Sequence, residues 1–210
     1  MGLTSWYERA IMPRLITCAC SQGQVMKRRA EVVPLARGDV FELGCGGGIN
    51  QSFFNRSQVR SYAGIDPHEG LLDTAREAAR RKGWSADLRA GVGESIPFAD
   101  AIFDTVVCTF TLCSVEDPAH ALSEMRRILR PGGKALFLEH GRAPDAGVAR
   151  WQDRIEPLWK RLAGGCHLTR PIASAVDDAG FAVEPVGKGY TPGAPKFAGW
   201  MEWGVAYKSG

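Results

Sequence analysis

The chain has 210 residues, 45% of them apolar, and a net charge of only +3. That length carries one domain with a full core and is too short for two ordinary ones. The weak charge, with no long basic block, gives no electrostatic footprint for nucleic acid, and no apolar run approaches the roughly 18 residues of a membrane span. The opening MGLTSWYERA does not read as a signal peptide, so a cytoplasmic protein is expected, with at most peripheral membrane contact. The six cysteines are scattered without a CxxC pair, which argues against a structural metal and for reduced core thiols.

In chain order, residues 1–35 read as a helical extension placed as a lid, and 36–210 as one α/β core. Lys27-Arg28-Arg29 reads as a solvated helix face. Strands are expected at 39–43, 61–65, 86–90, 103–109, 134–139, 181–186 and 200–207. Helices are expected near 50–56, 69–82, 118–129, 147–162 and 171–179. Asp117-Pro118 and Thr169-Arg170-Pro171 supply start signals, and Lys82-Gly83, Arg130-Pro131-Gly132-Gly133 and Ala179-Gly180 supply stops. Short strands alternating with helices specify a parallel sheet covered on both faces.

Between the first strand and the following helix lies ELGCGGGIN, residues 42–50. Gly44 and Gly46 let the chain turn tightly and bring its backbone against a ligand. A dinucleotide loop would carry its third glycine at position 49, which is Ile49; here that glycine is Gly48. A nicotinamide-dependent oxidoreductase is therefore disfavoured. Asp66 follows the second strand, 22 residues beyond Gly44, where a carboxylate can accept ribose hydroxyls; it can equally cap the helix beginning near His68.

An acid two residues before GxGxG resembles the first motif of class I S-adenosylmethionine (SAM) methyltransferases. GESIPFADAIFDTVV and RRILRPGG are similar to segments of the type 11 methyltransferase group. The resemblance implies a Rossmann-like doubly wound sheet of seven strands, order 3-2-1-4-5-7-6 with strand 7 antiparallel. It implies SAM as cofactor and S-adenosylhomocysteine as product. It places Glu42 near the methionine ammonium, Gly44, Cys45, Gly46 and Asn50 along the methionine and ribose, and Asp66 with Pro67 at the ribose. It also places Thr109, ending the fourth strand, and Leu112, just after it, at the cofactor. At the adenine, Val92 replaces the usual acid, leaving the Gly93 amide and Glu94. Cys45 is expected to be a bystander, because no base is near it in sequence and methyl transfer needs no covalent intermediate.

The acceptor side is less specified. Thr109-Phe110-Thr111-Leu112 stands where amino-methylating enzymes of DNA or protein carry an Asn/Asp-Pro-Pro-Tyr/Phe tetrapeptide. LCSV at 112–115, Glu139-His140, the Trp151…Pro157…Trp159 spacing and GCHLTR at 165–170 resemble the methyltransferase-like seven group, whose animal members are membrane-associated and methylate small alkyl thiols. The resemblance implies a small, fairly apolar acceptor, a thiol before a quinone-type carbon or a phospholipid amine; a non-catalytic SAM-binding protein is the reading from another class. His140 is the candidate base, with capping of its strand as the alternative. Glu139 reads as structural. The acceptor pocket is expected from His140, Trp159, His167, Tyr7 and Met26, with Trp6 beside them in the lid. A monomer or weak homodimer is expected, with a small-molecule methyl acceptor and no nucleic-acid partner.

Overall fold

A computed structural model describes residues 22–209. Helix α1 (Gly23–Val32) and a short 3-10 turn lead into strand β1 (Gly38–Leu43). Then come β2 (Val59–Asp66), α2 (Glu69–Arg81), β3 (Ala86–Ala90), β4 (Phe103–Thr109), α3 (Pro118–Ile128) and β5 (Leu129–His140). The chain closes with α4 (Ala146–Leu162), α5 (Ile172–Asp178), β6 (Phe181–Tyr190), the one-turn α6 (Lys196–Gly199) and β7 (Trp200–Lys208).

The seven strands form one sheet in the order β3-β2-β1-β4-β5-β7-β6. Strand β1 pairs in parallel with both β2 and β4, and β7 runs antiparallel to β5 and β6. Connections from β1 therefore leave in opposite directions, and a crevice opens beyond its carboxyl end. Because central strands are covered on both faces, they carry near-continuous apolar runs. Adjacent residues serve opposite cores: Phe41 packs with Leu43, Phe103 and Phe137, while Val40 packs with Tyr62, Leu72 and Trp203. Helix α2 buries Leu72, Ala75 and Ala79, one face at helical spacing. Helix α3 starts where Asp117 accepts from the amides of Ala119 and His120 at 3.0 and 3.1 Å.

Three expectations are corrected. The helix over 50–56 is only a 3-10 turn, Ile49–Ser52. The Arg130–Gly133 stop lies inside β5 rather than before it: Leu129 pairs with Phe103 and Lys134 with Thr105, so the intervening residues bulge out of register. Gly132 has a φ of 75°, which suits that bulge. Pro171 itself, not Thr169, occupies the N-cap of α5, without a side-chain cap.

Candidate active site

Beyond the end of β1 lies a cavity of about 740 Å³ lined by the glycine loop, the ends of β2 and β4 and the turn after α4. At Gly44 (φ 68°) an added Cβ would lie 2.1 Å from the Thr111 hydroxyl oxygen, so the loop after β1 and the turn after β4 touch there with no room for a side chain. The Gly46 amide donates to Asp66 Oδ2 at 2.9 Å, and the His68 amide donates to Oδ1 at 2.9 Å. Asp66 is 7% exposed and faces the cavity. Each of its oxygens keeps lone-pair capacity toward a diol. Its carboxylate also raises the pKa of His68.

Glu42, at the floor, is buried. It accepts from Asn50 Nδ2 at 2.8 Å and from the Tyr62 hydroxyl at 2.6 Å. Burial pushes its carboxyl up to about 7, opposed by Tyr62, the Arg29 charge and Asn50. Asn50 also donates to the Thr109 hydroxyl at 2.9 Å. Arg29, buried on α1, donates to Asn50 Oδ1 at 2.5 Å and to Thr109 Oγ1 at 2.7 Å, and its side chain lines the cavity. This corrects the solvated-face reading at Arg29, while Lys27 is exposed as expected. The signal was present: Val25, Arg29 and Val32 recur at four and three residues, so Arg29 shares the apolar face of its helix. Cys45 is 3% exposed, and burial raises its thiol far above the ordinary range, which removes the thiolate a nucleophile needs.

Pro67, Val92, Gly93 and Glu94 line the wall expected to meet an adenine. Glu94 is partly engaged, its Oε1 accepting from the Asp117 amide at 3.0 Å.

At the other end, four segments distant in sequence converge. The buried Glu139 carboxylate accepts the amides of Thr111, Leu112 and Cys113 at 2.9, 3.1 and 3.2 Å. His167 donates its amide to the Cys113 carbonyl oxygen at 2.7 Å, and Arg170 Nη1 donates to the Leu112 carbonyl oxygen at 2.5 Å. His140 Nδ1 lies 3.6 Å from Cys166 Sγ, while its buried Nε2 has no hydrogen-bond partner among the described residues. His167 Nδ1 meets Glu156 Oε1 at 2.9 Å, so Glu156 orders this segment rather than lying at the surface.

The structure separates several expected pocket residues from the cavity. Leu112 turns its side chain into the core, because Glu139 holds its amide and Thr111 and Ser114 take the cavity side. His140, His167 and Met26 are not on the cavity wall. Trp159 lines a second, apolar cavity of about 630 Å³ with Trp151, Leu158 and Phe197. Trp6 and Tyr7 lie outside the described residues. Arg170 was read only as part of GCHLTR and of a helix start; its bond to Leu112 was not foreseen, since nothing local in sequence brings the two together. Among the described residues there is no cluster of His, Cys, Asp and Glu able to hold a metal, and no helix long and apolar enough to cross a membrane.

The sheet order, the glycine loop on Asp66 and the buried Glu42 define a class I SAM-dependent methyltransferase. Residues 41–137 match the family described as Methyltransferase domain. The chain is 36% identical over 145 residues to rat thiol S-methyltransferase TMT1B, covering 68% of this chain and 59% of that protein. It is 32% identical to human thiol S-methyltransferase TMT1A, covering 87% of this chain and 80% of that one. The chain thus spans about three fifths of the length of the TMT1B proteins it matches. In structure it resembles YcgJ from Bacillus subtilis, with a TM-score of 0.69 at 19% identity over 83% of this chain and 93% of that one. The chain belongs to the SAM-dependent methyltransferase family that includes these thiol S-methyltransferases.

Proposed function

We propose that the chain transfers the SAM methyl group to a small, fairly apolar thiol. The observation that carries this reading is the convergence of LCSV, Glu139-His140 and GCHLTR into one hydrogen-bonded cluster beside the cofactor cavity. Those are the segments whose pattern is shared with the thiol-methylating group. SAM supplies a methyl on a positively charged sulfur, so the protein's task is to position a nucleophile in line and exclude water. Asp66, oriented by the Gly46 amide, would hold the ribose end, and Glu42 the methionine ammonium; Asn50, expected along the cofactor, lies behind the cavity wall and would orient Glu42 instead. The apolar groove along α4, whose last turn (Lys160 and Arg161) borders the cofactor cavity, would favour an apolar acceptor. His140 is proposed as the group that takes the acceptor's proton through its unpartnered Nε2, which is buried behind the cavity wall, so the acceptor must open a path to it.

The test is to incubate enzyme and SAM with alkyl thiols, quinols, amines and phospholipids and to measure S-adenosylhomocysteine. Alkyl thiols should give the highest kcat/KM; preference for a quinol or for phosphatidylethanolamine would replace this reading. His140→Ala should lower kcat by about 10²-fold with SAM affinity intact. That deficit should shrink as pH approaches the ordinary thiol pKa of about 8.5, where the acceptor ionises unaided. A deficit constant from about pH 6 to 9.5 would leave His140 a structural role only.

A further inference from the structure

The densest set of reactive side chains outside the cofactor contacts is a thiol pair. Cys113 lies in the turn after β4, and Cys166 follows α4; the 2.7 Å bond from the His167 amide to the Cys113 carbonyl lays them side by side. Cys166 Sγ lies 3.6 Å from His140 Nδ1, and each of the two thiols shifts the proton affinity of the other. Cys166 is held below the ordinary thiol range, first by Cys113, then, against burial, by His140. Cys113 is correspondingly pushed well above it. Arg170 adds a cation whose charge acts on both sulfurs. Of the four described cysteines, Cys166 alone keeps appreciable exposure, whereas Cys45, Cys108 and Cys113 are buried. A part-exposed thiol beside an imidazole, with a guanidinium and a second thiol on the segment hydrogen-bonded to it, is the arrangement of a peroxide-sensitive pair.

We propose that Cys166 and Cys113 form a redox-active dithiol, oxidised by hydroperoxides to a disulfide across the wall of the cofactor cavity. Cys166 Sγ attacks one oxygen of the hydroperoxide; the O–O bond breaks, and the other oxygen leaves as an alcohol, or as water from hydrogen peroxide, after taking a proton. Cys166 is then a sulfenic acid. Cys113 Sγ attacks that sulfur, the S–O bond breaks, and the hydroxyl leaves as water with the Cys113 proton. Two electrons have passed from the pair to the peroxide. Ser114 and Val115, next to one cysteine, and Gly165, next to the other, line the cavity. A bond of about 2.05 Å between the sulfurs draws those two walls together, so oxidation is read out at the cofactor site. The proposal does not depend on which acceptor is methylated.

The full chain is treated with graded hydrogen peroxide, quenched by alkylation and mapped by mass spectrometry, with and without prior dithiothreitol. The expected result is a reductant-reversible Cys113–Cys166 link forming at doses that leave Cys45 and Cys108 as free thiols. In Cys113→Ser the resolving sulfur is gone, so a 1,3-dione probe should label Cys166; in Cys166→Ser neither link nor label should form. The wild-type map decides the matter even if a variant does not fold. Linkage of Cys166 to Cys18 or Cys20, oxidation of Cys45 or Cys108 first, or both Cys113 and Cys166 still free when Cys45 has reacted would each overturn the proposal.

Discussion

Asp66 and Glu139 are both carboxylates at the carboxyl ends of sheet strands, β2 and β5, and both accept backbone amides from an adjacent turn, but with different remainders. Asp66 takes one amide on each oxygen and faces the cavity, so capacity is left for a ligand. Glu139 takes three amides, is 0% exposed and has no opening to the cavity. One carboxylate is spent on shaping a loop; the other is shared between a loop and the open cavity. The same chemical group thus separates scaffold from binding surface by how many of its lone pairs the chain itself consumes.

Removing each carboxylate tests that division. Glu139→Ala strands three buried amides and should cost about 3 kcal/mol or more of stability, seen as a lower denaturation midpoint. Asp66→Ala should instead weaken SAM binding by about 1.5–3 kcal/mol in calorimetry, while costing about 1 kcal/mol or less of stability. If the two variants exchanged these phenotypes, the contrast would fail.

Glu42 sharpens it, because it is buried like Glu139 yet lines the cavity. Its carboxyl is raised to about 7 by burial. The folded chain therefore keeps a proton that the unfolded chain has already lost. The stability this contributes is fully present below about pH 4.5 and is lost as pH rises through about 7. A bound ammonium prefers the carboxylate, so SAM affinity should move the other way, rising several-fold between about pH 6 and 8. Glu42→Gln should flatten both profiles; an unchanged affinity profile in that variant would remove Glu42 from the account. The smallest effect is expected at Cys45, where Cys45→Ala should cost about 1 kcal/mol of packing and lower kcat by no more than about threefold. A dead Cys45→Ala enzyme that still bound SAM would bring covalent chemistry back.

The glycine-loop end of the cavity was legible because its parts are close in sequence: the acid, the glycine turn and Asp66 span one strand–turn–strand unit with fixed spacing. Strand order followed from the family pattern and agrees with the observed sheet. The acceptor half resisted for the opposite reason. Cys113, Glu139, Cys166 and Arg170 are joined by bonds between residues 26 to 58 positions apart, and no local periodicity encodes such meetings. The bulged start of β5 was hidden because Pro131-Gly132-Gly133 carries the composition of a helix stop, and only pairing with β4 reveals that the strand continues through it. Arg29 was readable in principle from helical spacing but was masked by its two basic neighbours.

Arg29 has a consequence for how the chain behaves as a thermodynamic machine. Its guanidinium belongs to α1, whereas the groups it holds, Asn50 and Thr109, follow β1 and end β4. Seating the helix and organising the cavity floor are thus two equilibria with shared members, and linkage makes each favour the other by the same free energy. Cofactor should slow amide exchange along α1, and any force that peels α1 from the sheet should expel cofactor, although no backbone joins the two events locally.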